Sequence, residues 1–181
     1  MYGRPFVTRN GRHTAVAIIN HWITALLVIA MLTLGLLARN APNDGVEDYV
    51  MSAHIGLGFF TLLFVLWRVA WRIKEGFPDT VSGPAWQRGF ARTVHVLILV
   101  AITGLVITGP LYLFTENEAI DVFGWFTVGL PLGGLEFLHE PAEAVHKFLA
   151  VPALVVLLVL HLAGGVVHIL GHRGRRTPAE L

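Results

Sequence analysis

The chain has 181 residues, 55% of them hydrophobic and 14% charged, with a mean hydropathy of +0.66. Soluble domains run nearer about 45–50% apolar and about 25% charged, so a water-soluble globule is excluded. With 13 Lys+Arg against 12 Asp+Glu there is no basic surplus for nucleic acid, and the absence of cysteine removes disulfide scaffolds, zinc fingers, iron–sulfur ligation and cysteine nucleophiles together.

A spanning helix needs about 20 mostly apolar residues, and four windows supply them. The first, about 15–38, contains no Asp, Glu, Lys or Arg. It is too long for a signal-peptide core and lacks a small-residue cleavage site, so a retained helix is expected. The second, about 50–73, is uncharged over Val50–Leu66 and continues amphipathically through Trp67, Arg68, Trp71 and Arg72. The third is about 91–114. The connection Thr115–Ala142 is long for a bundle. Its middle, Asp121–Pro131, combines aromatics, glycine and proline without a basic residue, which predicts a short interfacial segment with Trp125 at headgroup level. The fourth helix, about 143–170, carries Lys147 near its start. Irregular backbone facing lipid would leave amides unpaired. The expected fold class is therefore an all-α integral membrane protein, a four-transmembrane-helix bundle over 14–172 with polar tails at 1–13 and 173–181.

Basic residues set the orientation. Arg4, Arg9, Arg12, Arg68, Arg72, Lys74, Arg88, Arg92, Arg173, Arg175 and Arg176 fall on one side of the spans, and only Arg39 and Lys147 on the other. Both termini are expected in the cytoplasm, with the chain multi-pass in a bacterial inner membrane. Asp44, Glu47, Asp48, Glu116, Glu118, Asp121, Glu136, Glu140 and Glu143 fall on the opposite, outer side. Such a face attracts cations and basic proteins, although acids also simply populate translocated loops.

Among nine histidines, His21, His54, His95, His146 and His161 lie within or at the edge of spans, where ionisable groups are costly and usually functional. Taken singly, each reads as a hydrogen-bonded core residue. Compared by depth, they pair. His21 lies about six residues, roughly 9 Å, inside the cytoplasmic end of the first helix. His54 and His146 stand near the outer ends of the second and fourth. His161 follows His146 by fifteen residues, about 22 Å deeper. Two cross-helix pairs result, His54 with His146 outside and His21 with His161 inside.

Two facing imidazoles in a bundle suit a haem iron with two axial histidines. A di-iron site lacks mid-membrane carboxylates, and a zinc protease site lacks H-E-x-x-H and a third ligand. Gly56, Gly58, Gly164 and Gly165 follow two of the histidines closely; small residues admit a flat macrocycle and equally serve helix packing. Fifteen residues leave His146 and His161 offset by about 60° on an ideal helix. Pro152 lies between them, so a kink or π-bulge is expected to realign the two faces.

The pieces N-H-W-I-T-A-L-L-V-I-A around His21, S-A-H-I-G-L-G-F-F around His54, W-R-V-A-W-R, A-R-T-V-H-V-L-I-L around His95, E-A-V-H-K-F-L-A around His146 and V-L-H-L-A-G-G-V-V-H around His161 and His168 carry a resemblance. Over about residues 10 to 172 the chain resembles the bacterial cytochrome b561 family, related to the b-type subunits of nickel–iron hydrogenases. The resemblance implies two b haems with the same four axial histidines and no catalytic residue beyond the haems. The family's last two ligands commonly stand fourteen apart, so fifteen is a departure. Arg68, Arg72 and Arg92 are candidates to pair with inner-haem propionates, and serve equally as positive-inside anchors. His95 and His168 are candidates for propionate or quinone contacts.

The resemblance further implies a superoxide oxidase that takes an electron from superoxide outside and reduces ubiquinone. Superoxide is an anion, however, and the outer face is acidic. The alternative is a cytochrome b subunit or partner that accepts electrons from a periplasmic dehydrogenase or a basic cytochrome c docked on 115–143. A non-redox, histidine-lined ion or proton path is the third reading.

Overall fold

The computed structural model describes residues 15–76 and 84–173. The tails 1–13 and 174–181, with Arg4, Arg9, Arg12, Arg175 and Arg176, lie outside the described residues. Helix α1 spans Ala15–Arg39, α2 Asp44–Glu75 and α3 Ala85–Thr115. A small antiparallel sheet follows, β1 Ile120–Val122 with β2 Phe126–Val128. A 3-10 segment Gly133–Leu138, a short helix α4 His139–Glu143, a π-helical segment Ala144–Ala150 and helix α5 Val151–Arg173 then run on continuously. Four helical stretches are long and apolar enough to cross a membrane: Ala15–Arg39, Asp44–Glu75, Ala85–Thr115 and Gly133–His168.

Local chemistry sets the helix ends. Asn40 closes α1 by donating Nδ2 to the Leu36 carbonyl at 2.7 Å. Asn43 opens α2, its Oδ1 accepting from Val46 N at 3.0 Å, with Asp44 and Glu47 favourably placed in the first turn. Gly76, at φ 76°, ends it. Both α2 and α3 begin about six residues before the expected 50 and 91, because their first turns are polar or capped and fall outside an apolar window.

The core takes one buried residue from each long helix: Val28, Val65, Ile102 and Leu154. Buried Thr24 and Thr61 donate to their own helices, at the Asn20 and Leu57 carbonyls. Large apolar side chains such as Trp22, Leu26, Val100 and Leu162 are 62–67% exposed, as lipid-facing surfaces require.

The long connection departs from the all-α expectation. The segment expected at the interface folds as a hairpin, with Ile120 opposite Val128 and Val122 opposite Phe126. Trp125 N donates to the Val122 carbonyl at 3.0 Å, and Phe123 and Gly124 have φ of 56° and 71°, the mirror-image turn that suits twisted strands. Ile120 and Val122 pack with Phe114 against Ile55, Phe59 and Phe60, so the hairpin caps the α2–α3 end of the bundle. Trp125 remains 75% exposed.

The fourth span also departs from a uniform α-helix. The π segment straddles His146 and ends just before Val151 and Pro152. Pro152 has no amide proton and its ring clashes with the carbonyl four residues back, which a wider turn relieves.

Candidate functional site

Helix α1 runs antiparallel to α2, and α3 to α5, so the bundle has a hairpin end and an end near the chain termini. His54 and His146 meet at the hairpin end with ring centres 6.3 Å apart and planes at 84°. His21 and His161 meet at the terminal end, also at 6.3 Å, with planes at 77°. All four rings are half-buried. Two imidazoles bonded to opposite sides of one metal ion, with bonds of about 2 Å, have centres about 6 Å apart. Neither pair is in direct hydrogen-bonding contact at such a separation. Among the described residues no cluster of three or more His, Cys, Asp or Glu is placed to hold a bare metal ion. The arrangement therefore suits a metal that brings its remaining ligands with it.

The hairpin-end pair lines a cavity of about 710 Å³ with Gly58, Gly109, Tyr112 and Arg39, within the range of about 300–1,000 Å³ that takes cofactor-sized ligands. His146 is oriented for ligation. Its Nδ1 lies 3.1 Å from the Leu105 carbonyl and 3.3 Å from Thr108 Oγ1. The Thr108 hydroxyl donates to the Gly104 carbonyl at 2.7 Å, so it faces His146 as an acceptor. Both partners thus accept from Nδ1–H, which leaves Nε2 with a free lone pair, as in metal-bound histidines whose second nitrogen donates to a carbonyl.

Glycines from neighbouring helices make the room. A Cβ on Gly109 would stand 3.1 Å from His146 Cε1, and one on Gly35 3.4 Å from His54 Cε1. Of the glycines singled out by sequence, Gly58 lines the cavity and Gly56 lies beneath the Phe123 ring, whereas a Cβ on Gly164 or Gly165 would meet nothing within 4 Å among the described residues. The missed pair had a signal: Gly35 stands fourteen residues after His21, and Gly109 fourteen after His95. Fourteen residues is nearly four turns, or about 21 Å along one face. Arg39 and Lys147, the two bases expected on this side, both line the cavity. Lys147 donates to Glu143 Oε1 at 2.8 Å and lies 4.9 Å from the Tyr112 ring centre.

At the terminal end a third imidazole joins the pair: the His95 ring lies 5.0 Å from that of His161. Arg68 reaches the same place, with Nη2 3.1 Å from His21 Nδ1 and Nη1 3.4 Å from Asn20 Oδ1. Asn20 is 2% exposed, and its buried Nδ2 has no partner among the described residues. The sequence reading passed over Asn20, although it is a polar residue inside a charge-free apolar run and directly precedes His21. Arg72 is half-buried and donates to the Gly76 carbonyl at 3.3 Å, which gives it a capping role. Arg92 is exposed on α3 and, among the described residues, makes no bond to the histidines. His168 is half-buried on α5, two turns beyond His161.

The fifteen-residue spacing is accommodated by the π segment. A π turn takes up one residue more than an α turn, so His146 and His161 follow the path of a fourteen-residue α spacing and each faces its partner.

Comparison with known proteins places this arrangement. Residues 12–177 match the family model of prokaryotic cytochrome b561. The chain is also similar to cytochrome b561 homolog 2 of Escherichia coli (strain K12), at 28% identity over 158 residues that cover 86% of this chain and 84% of that one. With four helices able to span a membrane, histidines facing across them and a family match over most of its length, the chain belongs to the prokaryotic cytochrome b561 family, multi-pass membrane cytochromes of the b type.

Proposed function

We propose that this protein carries two b haems and conducts electrons between a donor at its outer, hairpin end and the membrane quinone pool, with ubiquinone as the acceptor. His54 and His146 are the axial ligands of the outer haem, and His21 and His161 those of the inner one. Both termini face the cytoplasm, so the membrane is the bacterial inner membrane.

The observation that carries this reading is the repeated geometry, two imidazole pairs at 6.3 Å near opposite ends of one bundle. A histidine-lined ion path has no need for both pairs to stand at one metal-spanning distance. Haem supplies the one-electron chemistry. The chain's part includes holding His146 in the ligating tautomer, through Leu105 and Thr108, and excluding water from the haems. His95 and His168 stand where a quinone headgroup at the inner end would exchange protons.

A second reading of the donor rests on charge. Asp44, Glu47, Asp48, Glu116, Glu118, Asp121, Glu136 and Glu140 are exposed at the hairpin end, a surface for a basic redox protein. It disfavours superoxide, which an acidic face repels.

Oxidised and dithionite-reduced spectra of the purified protein, with haem quantified per chain, test the proposal. Two low-spin six-coordinate b haems are expected. One haem means that a pair is misassigned; none, after expression with haem supplied, sinks the electron-transfer reading.

A further inference from the structure

The terminal-end pair shows a conflict that the hairpin-end pair does not. A guanidinium only donates, so Arg68 Nη2 at 3.1 Å makes His21 Nδ1 an acceptor and leaves the ring proton on Nε2. An imidazole in that tautomer has no lone pair for a metal at Nε2. Ligation through Nε2 needs the reverse, Nδ1 as donor, and Arg68 must then leave. Beside it the Asn20 amide is buried with its Nδ2 unpaired while Oδ1 accepts from Arg68. A buried orphan donor is costly and calls for a partner that the described residues do not provide. A displaced guanidinium and an unpaired amide N–H at one point are the donors that a carboxylate takes.

We propose that Asn20 and Arg68 form the carboxylate-binding subsite of the inner haem: Asn20 Nδ2 donates to a propionate, and Arg68 exchanges His21 for the same group. Arg68 is thus a two-position residue. Bonded to His21 it holds the ring in the non-ligating tautomer; bonded to the propionate it neutralises that group and frees Nδ1. The proposal rests on the two-haem reading and adds a residue, Asn20, and an exchange to it.

The test uses the full-length chain produced without haem. Haem b and its dimethyl ester, whose propionates are capped, are titrated into wild type, Asn20→Leu and Arg68→Gln. The inner site is identified as the one lost in His161→Ala. Wild type is expected to prefer haem b over the ester at the inner site by about tenfold or more, the worth of a charged hydrogen bond. In both variants that preference collapses, while the outer site is unchanged. Because the readout is a ratio, the easier entry that Arg68→Gln allows cancels. A preference equal to wild type in the variants overturns the proposal, as does an equal loss of affinity for haem b and ester, which marks packing alone. Asn20→Ser serves if leucine prevents folding, judged by helical circular dichroism and outer-haem uptake. Fewer than two haems in wild type fails the two-haem reading itself.

Discussion

A single hydrogen atom at Gly109 leaves His146 the space it occupies. The methyl group of alanine there would stand 3.1 Å from the imidazole Cε1, and His146 cannot retreat without breaking its Nδ1 contact to the Leu105 carbonyl. Overpacking of this kind costs about 1–3 kcal/mol. Gly109→Ala is therefore expected to weaken the haem site proposed at the hairpin end by about fivefold to a hundredfold and to leave the one proposed at the terminal end intact. Haem content per chain, with the two sites resolved by redox titration, checks it. Gly164→Ala is the control, because a Cβ there meets nothing within 4 Å. If both substitutions cost the same, the glycine cradle is no part of the site.

At the scale of elements, the π segment reconciles a fifteen-residue spacing with two facing pairs. Deleting Leu149, which is 65% exposed, converts the segment to fourteen-residue α spacing along the same path. Two haems with unchanged spectra are expected from the deletion, whereas a one-residue insertion at the same place turns His146 off its partner and loses the outer haem. Retention of both haems by the insertion would show that the turn does not set the register. Much of this element logic was legible in the sequence. Charge-free apolar runs locate helices directly, and four histidines at two depths pair once the helices alternate in direction. The hairpin was not legible, because strands of three residues carry too little alternation, and its aromatic, Gly-containing tip reads equally as an interfacial segment. Gly35 and Gly109 escaped because they contact histidines on other helices and are not adjacent to them in sequence. Asn20 escaped because its meaning depends on Arg68, forty-eight residues away.

Across the whole molecule, charge and histidines are arranged along one axis. His146 and His161 are about 21 Å apart along the path of a fourteen-residue α spacing, so the proposed sites sit near opposite ends of the hydrocarbon core. The acids gather at the hairpin end around the cavity of His54 and His146, where Arg39 and Lys147 are the bases and Lys147 is paired with Glu143. A cationic protein donor is drawn to this face over a Debye length of about 8 Å in physiological salt and about 30 Å at 0.01 M. Electron uptake from a basic cytochrome is therefore expected to fall by about tenfold or more as salt rises from 0.01 M to 1 M, because steering is lost. Superoxide, repelled by the same face, is expected to react at a rate that rises or stays flat. Glu118→Gln with Asp121→Asn separates docking from general ionic effects. Both side chains are exposed, and Asp121 also accepts from Gly124 N at 3.0 Å, a bond that asparagine's Oδ1 can keep. The double variant should flatten the salt dependence with the basic donor, weaken any rise of the superoxide rate with salt, and leave haem content as it is. Stopped-flow reduction of the outer haem at three salt concentrations measures all of this. If neither donor responds to salt, the acidic face has no part in choosing the donor, and the acids of these loops are simply those of a translocated surface.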